Sequence, residues 1–143
     1  MHSLTFAQWD FVADLYIPLL ALGCVLRLLR RHTSETAART YRDMVPLLCG
    51  VAAVYTLYIL DAFTGAWHFF GLDYSTHLAV ALALGLFLSR CLPSAGVWFW
   101  ASVLLYSLLM MYQEYHGFYD LLTTAAVTIP MVMGLHRYIN GRA

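Results

Sequence analysis

The sequence contains no lysine: all eight basic residues are arginines, balanced by eight acidic ones, and charged residues make up only 11% of 143. Soluble domains carry roughly a quarter of their residues as charge, so this composition excludes an ordinary water-facing surface. With so little charge and none in excess, no nucleic-acid partner is expected. Cysteine is scarce and odd in number. Cys24 and Cys49 sit inside apolar runs, Cys91 follows an arginine, and the absence of a framework spacing argues against disulfides. Repeats and low-complexity tracts are absent. The opening "MHSLTFAQWDFVADLY" lacks the basic n-region and small-residue cleavage pattern of a signal peptide, so the first apolar run is expected to be structure.

Apolar residues fill the space that charge leaves, at 62% of the chain. Five runs, over residues 11–29, 44–63, 75–89, 97–112 and 119–138, approach the roughly 17 to 25 residues that a membrane-crossing helix needs. The expectation is an all-α integral membrane protein, one domain over 1–143, built as a bundle of about five spans. The third and fourth runs are short, and their ends are expected to be finished by polar residues lining a protein interior. Pro46 suits a first helical turn, whereas Pro18 and Pro130 lie within spans. Ala79, Ala81, Ala83 and Gly85 form overlapping small-xxx-small pairs that permit close helix packing.

Arginine placement orients the bundle, because short Arg-rich loops stay cytoplasmic. Arg27, Arg30, Arg31, Arg39 and Arg42 surround the first loop, Arg90 is in the third, and Arg137 and Arg142 are at the C-terminus. With five spans these places share one face, which puts the N-terminus outside and the C-terminus inside. The localisation expected is a membrane of the bacterial inner-membrane type. The outer face then gathers Asp10, Asp14, Asp61, His68, Asp73, His77, Glu114, His116 and Asp120, with no arginine. Trp9, Trp67, Phe69, Phe70, Tyr74, Tyr115 and Tyr119 are expected to form an aromatic belt there, and Trp98 and Trp100 to serve the other interface. His2, His32 and His136 are assigned no function.

Two spacings carry chemistry. Asp73 and His77 are four apart at the mouth of the third span, and His116 and Asp120 are four apart at the mouth of the fifth. Residues at i and i+4 share a helix face, so each mouth is expected to present one carboxylate and one imidazole. Ionisable groups at such depths are expensive unless they snorkel, pair or work, and capping of helix ends in headgroup water is the plain alternative.

The stretch "DYSTHLAVALAL", followed one hairpin later by "YHGFYDLLTTAA", resembles the type 2 phosphatidic acid phosphatase superfamily, including its sphingomyelin synthase-like branch. Ser75, Thr76 and His77 match its Ser-x-His element, with Thr where Gly is usual, and His116 and Asp120 match its His-x-x-x-Asp element. The resemblance implies phosphoryl transfer on a membrane lipid. His116 would be the nucleophile, Asp120 would accept its other ring N–H, and His77 would protonate the leaving oxygen. Asp73, Ser75, Thr76 and Tyr115 would contact the substrate. The family's basic phosphate clamp has no counterpart, since Leu109 and Met110 stand where a Ser-Arg pair is expected. A divalent metal such as zinc would supply the charge, with His77, His116, Glu114 and Asp120 as ligands, or a partner membrane protein would.

"LDYSTHLAVALALGL" with "LLYSLLMMYQEYHGFYDLLTTAAV" is also similar to the VanZ-like family of small envelope proteins, through Asp73, His77, Glu114 and Asp120. That similarity implies an envelope accessory or headgroup binder. Two functions are therefore expected to compete: an outer-face enzyme acting on a lipid-linked phosphate, and a non-catalytic membrane protein binding a headgroup, metal or subunit.

Overall fold

The computed structural model describes residues 6–34 and 36–141, so His2 and Arg142 lie outside the described residues. These residues are mostly helical and include no strand. The elements are α1 (Phe6–Ser34), α2 (Ala37–Thr64), a one-turn α3 (Ala66–Phe69), α4 (Thr76–Cys91), α5 (Gly96–Tyr112) and α6 (Phe118–Gly141), with a 3₁₀ turn, Pro93–Ala95, leading into α5. Among the described residues four helical segments are long and apolar enough to cross a membrane: Gln8–Ser34, Ala37–Thr64, Pro93–Tyr112 and Phe118–Gly141. Their outward faces are greasy, with Phe11, Leu19, Leu48, Leu104 and Leu105 all exposed.

α4 differs from the other four. Its residues from Leu78 to Leu88 are buried without interruption, and α1, α2, α5 and α6 all pack against it. A helix apolar on every side belongs in an interior. The small residues that suggested close packing do permit it: a Cβ on Gly85 would lie 3.3 Å from the Val103 side chain of α5. Gly50 similarly brings α2 against Val132 of α6, at 3.4 Å.

Most helices outrun the apolar stretches that announced them. α1 and α2 continue to Ser34 and begin at Ala37 because their arginine-rich flanks are good helix formers that need no burial. One consequence is a correction: Pro46 is not in a first turn but ten residues into α2. Tyr74 is a second correction. It is buried and donates its hydroxyl to the carbonyl of Val54 at 3.2 Å, so it belongs to the core and not to an interfacial belt.

The helices alternate in direction, which sorts the charges. The Arg31–Asp43 ion pair ties α1 to α2 at the end that also holds Arg27, Arg30, Arg39, Arg42, Arg90 and Arg137. The opposite end holds Asp10, Asp14, Asp61, Asp73, Glu114 and Asp120 with His68, His77 and His116.

Candidate functional site

At the arginine-free end the starts of α1, α4 and α6 meet two loops, residues 65–75 and 113–117. Carboxylates hold the loops down. Asp120 Oδ2 accepts the N–H of Gly117 at 2.8 Å, while Oδ1 accepts the N–H of Asp73 at 2.8 Å. The first bond is the reach-back half of a capping box, made by the third residue of α6 to the residue before it. The second joins the two loops. Asp10 Oδ1 accepts from Gln113 Nε2 at 2.6 Å and from the Tyr115 hydroxyl at 2.9 Å, which fastens α1 to the second loop. That hydrogen bond to Asp10 raises the Tyr115 phenol above its ordinary pKa. Asp61 accepts the N–H of Trp67 at 2.8 Å, and the Trp67 indole donates to Thr123 at 3.1 Å.

The second loop, within "QEYHGFYD", begins as a helix C-cap. The N–H of Tyr115 reaches the carbonyl of Met110 at 3.1 Å, and the N–H of Glu114 reaches that of Met111 at 3.1 Å. This is the two-bond Schellman closure, which requires a left-handed residue. Glu114 occupies that position, with φ of 61°. A glutamate there carries strain that glycine would not. The turn leaves Gln113 buried and brings His116 inward.

His116 is half-buried, and its Nδ1 is buried with no hydrogen-bond partner. Burial lowers its pKa below the ordinary histidine value, against the opposing pull of Asp120 and Asp73 and with help from His77. Burial thus favours the neutral form of this imidazole. It lines a cavity of about 240 Å³ together with Ala13, Asp14, His77, Tyr106, Met110 and Tyr115. A second cavity, of about 280 Å³, lies against the same Ala13, Asp14 and His77 and is completed by Ile17, Tyr55, Thr76 and Val80. Asp14 and His77 are thus shared by both.

Several expectations are corrected here. Asp73 and His77 do not share a helix face, because α4 begins at Thr76 and Asp73 lies in the preceding loop; His116 likewise precedes α6, which begins at Phe118. Each pair straddles a helix start, where the backbone leaves helical geometry. No hydrogen bond joins Asp120 to His116 among the described residues; its two oxygens instead accept the backbone N–H groups of Asp73 and Gly117. Ser75 is fully buried as the N-cap of α4: its hydroxyl accepts from the N–H of Leu78 at 3.4 Å, and its own N–H donates to Thr124 at 3.1 Å. It faces no cavity. Asp73 and Glu114 are exposed, and only Thr76 and Tyr115 of the expected substrate contacts line a cavity. Among the described residues no three His, Cys, Asp or Glu side chains are arranged to hold a metal ion, so His77, His116, Glu114 and Asp120 do not form a ligand set.

Asp14 is the residue that the motifs overlooked. Its signal was present, as an ionisable side chain four residues after Asp10 and just inside an apolar run. Among protein-family models, curated proteins and solved structures, no match to this chain is found. The two resemblances therefore stand on their quoted motifs alone.

Proposed function

We propose that this chain is an integral membrane protein with α4 sheltered among four crossing helices, its N-terminus outside, that binds a lipid headgroup in the 240 Å³ cavity. The observation that carries this reading is the convergence of Asp14, His77 and His116 on one cavity at the arginine-free end. Asp14 and His77 are exposed and His116 half-buried at this wall, and ionisable groups in an apolar bundle are costly unless they snorkel, pair or serve a polar guest. Topology is tested first. A cysteine introduced at Gly65 should react with an impermeant reagent from outside, and one at Ser34 only after permeabilisation. The reverse pattern would defeat the outer-face placement. Binding is tested by lipid mass spectrometry of the purified protein: a stoichiometric lipid is expected, and it should be lost in Asp14→Asn.

A catalytic reading is favoured by one observation, that both imidazoles border the same space and His116 Nδ1 has no partner. On that reading His116 attacks a lipid phosphate and His77 protonates the leaving oxygen. His116→Ala should then abolish hydrolysis or transfer of a lipid phosphate while headgroup binding persists. Absence of turnover in the wild-type protein across lipid phosphates would leave binding as the function.

A further inference from the structure

We propose that the group this cavity takes is an organic ammonium, quaternary or primary, at the end of a zwitterionic lipid headgroup or on a free amine. The inference rests on the binding reading above and names its ligand class. It starts from sign. Six carboxylic residues and no arginine or lysine occupy this end of the bundle, so a phosphate entering alone meets repulsion and finds no cation to receive it.

The carboxylates are not equivalent. Asp10, Asp61 and Asp120 are committed to N–H and O–H donors that hold the loops. Asp14 makes no hydrogen bond or ion pair among the described residues, yet it forms part of the wall of both cavities. Asp14 is exposed at this wall, so its charge is accessible to an entering cation, and among the described residues no arginine or lysine stands at this end to neutralise it.

Aromatic walls complete the preference. Tyr106 is buried, stacks on Tyr16 with ring centroids 4.3 Å apart, and also borders the cavity. Tyr115 also lines it, its hydroxyl tied to Asp10. Electron-rich rings beside a carboxylate are the surroundings in which ammonium groups are recognised, through ring quadrupoles acting together with a full charge. His116 borders the same cavity, and its burial disfavours the charged ring that would compete with an ammonium there.

The test is equilibrium binding to the purified protein in lipid-free detergent micelles, using choline, its neutral isostere 3,3-dimethylbutan-1-ol, and inorganic phosphate. Choline should bind at least tenfold more tightly than the isostere. Asp14→Asn, which keeps the side chain's shape, should remove that difference, and Tyr106→Leu should weaken choline severalfold. A second arm separates the sources. In nanodiscs of phosphatidylcholine a lipid headgroup ligand would already occupy the site and block choline, whereas discs of phosphatidylglycerol would leave it open; free amine as the ligand predicts binding in both. Equal binding of choline and the isostere, or indifference to Asp14→Asn, would overturn the ammonium while leaving a headgroup cavity standing. Preference for phosphate would overturn it in favour of an anion. Failure of all three probes and of lipid retention would defeat the binding reading itself.

Discussion

At the arginine end, Asp43 is matched with Arg31 across the α1–α2 turn, charge against charge. At the other end, Asp10, Asp61 and Asp120 accept only neutral donors: main-chain N–H groups, an amide and a phenol. The difference is in what each arrangement leaves behind. An ion pair cancels its own field, but a carboxylate bonded to amides fixes a loop and keeps its charge. At one end an acid is spent on pairing with one of many arginines, while at the other the acids fix loops without cancelling the negative charge of that face.

The comparison breaks if the carboxylates prove dispensable. Asp120→Ala removes two bonds to main-chain N–H groups on separate loops and should lower stability by about 2–3 kcal/mol. Asp43→Ala, which breaks a part-exposed pair, should cost no more than about 1 kcal/mol. Unfolding in detergent followed by helical circular dichroism measures both, and a reversal of the order would refute the asymmetry. Asp10→Ala comes next, at about 1–2 kcal/mol, because it strands the buried amide of Gln113.

A smaller effect, and a sharper one, concerns pH. His116 has a folded pKa below its unfolded value because burial disfavours the charged ring. The unfolded chain therefore binds this proton more readily, and stability falls as pH drops below about 6.5, levelling off once the folded group is also protonated. His116→Gln should flatten this acid limb between pH 7 and 5, and a wild-type profile without such a limb would contradict the burial described. Smallest is Glu114→Gly. Relieving the left-handed glutamate should raise stability by less than about 1 kcal/mol, since glycine also loses more backbone freedom on folding. A net loss would mean that the Glu114 side chain has a task the loop geometry does not reveal.

Helices, their apolar character and their order were legible because long apolar runs are a strong signal, and the segregation of arginine was legible for the same reason. The helix starts were not. Spacing of four at Asp73/His77 and at His116/Asp120 suggested a shared face, but the caps at Ser75 and Gly117 intervene, and periodicity says nothing about where a helix begins. The role of Asp120 was misjudged for a related reason: a carboxylate three residues into a helix serves its own N-terminus as readily as a distant imidazole. His77 and His116 were singled out and do border one cavity. Asp14 was placed on this face but given no role, because its neighbours in space, on α4 and in the second loop, are far away in the chain.

The 16 residues of α4 give it a length of about 24 Å, short of the roughly 30 Å hydrocarbon thickness of a bilayer. With α4 centred in the bilayer on the proposed topology, its first turn and the cavity beside it lie about 3 Å beneath the outer boundary, within the region where the transmembrane voltage drops. A full crossing is worth about 2.3 kcal/mol per charge at 100 mV, so a tenth of it changes the occupancy of a monovalent cation by about 1.5-fold. An energised, inside-negative membrane would favour occupancy of this site by that modest factor, and depolarisation would remove the bias.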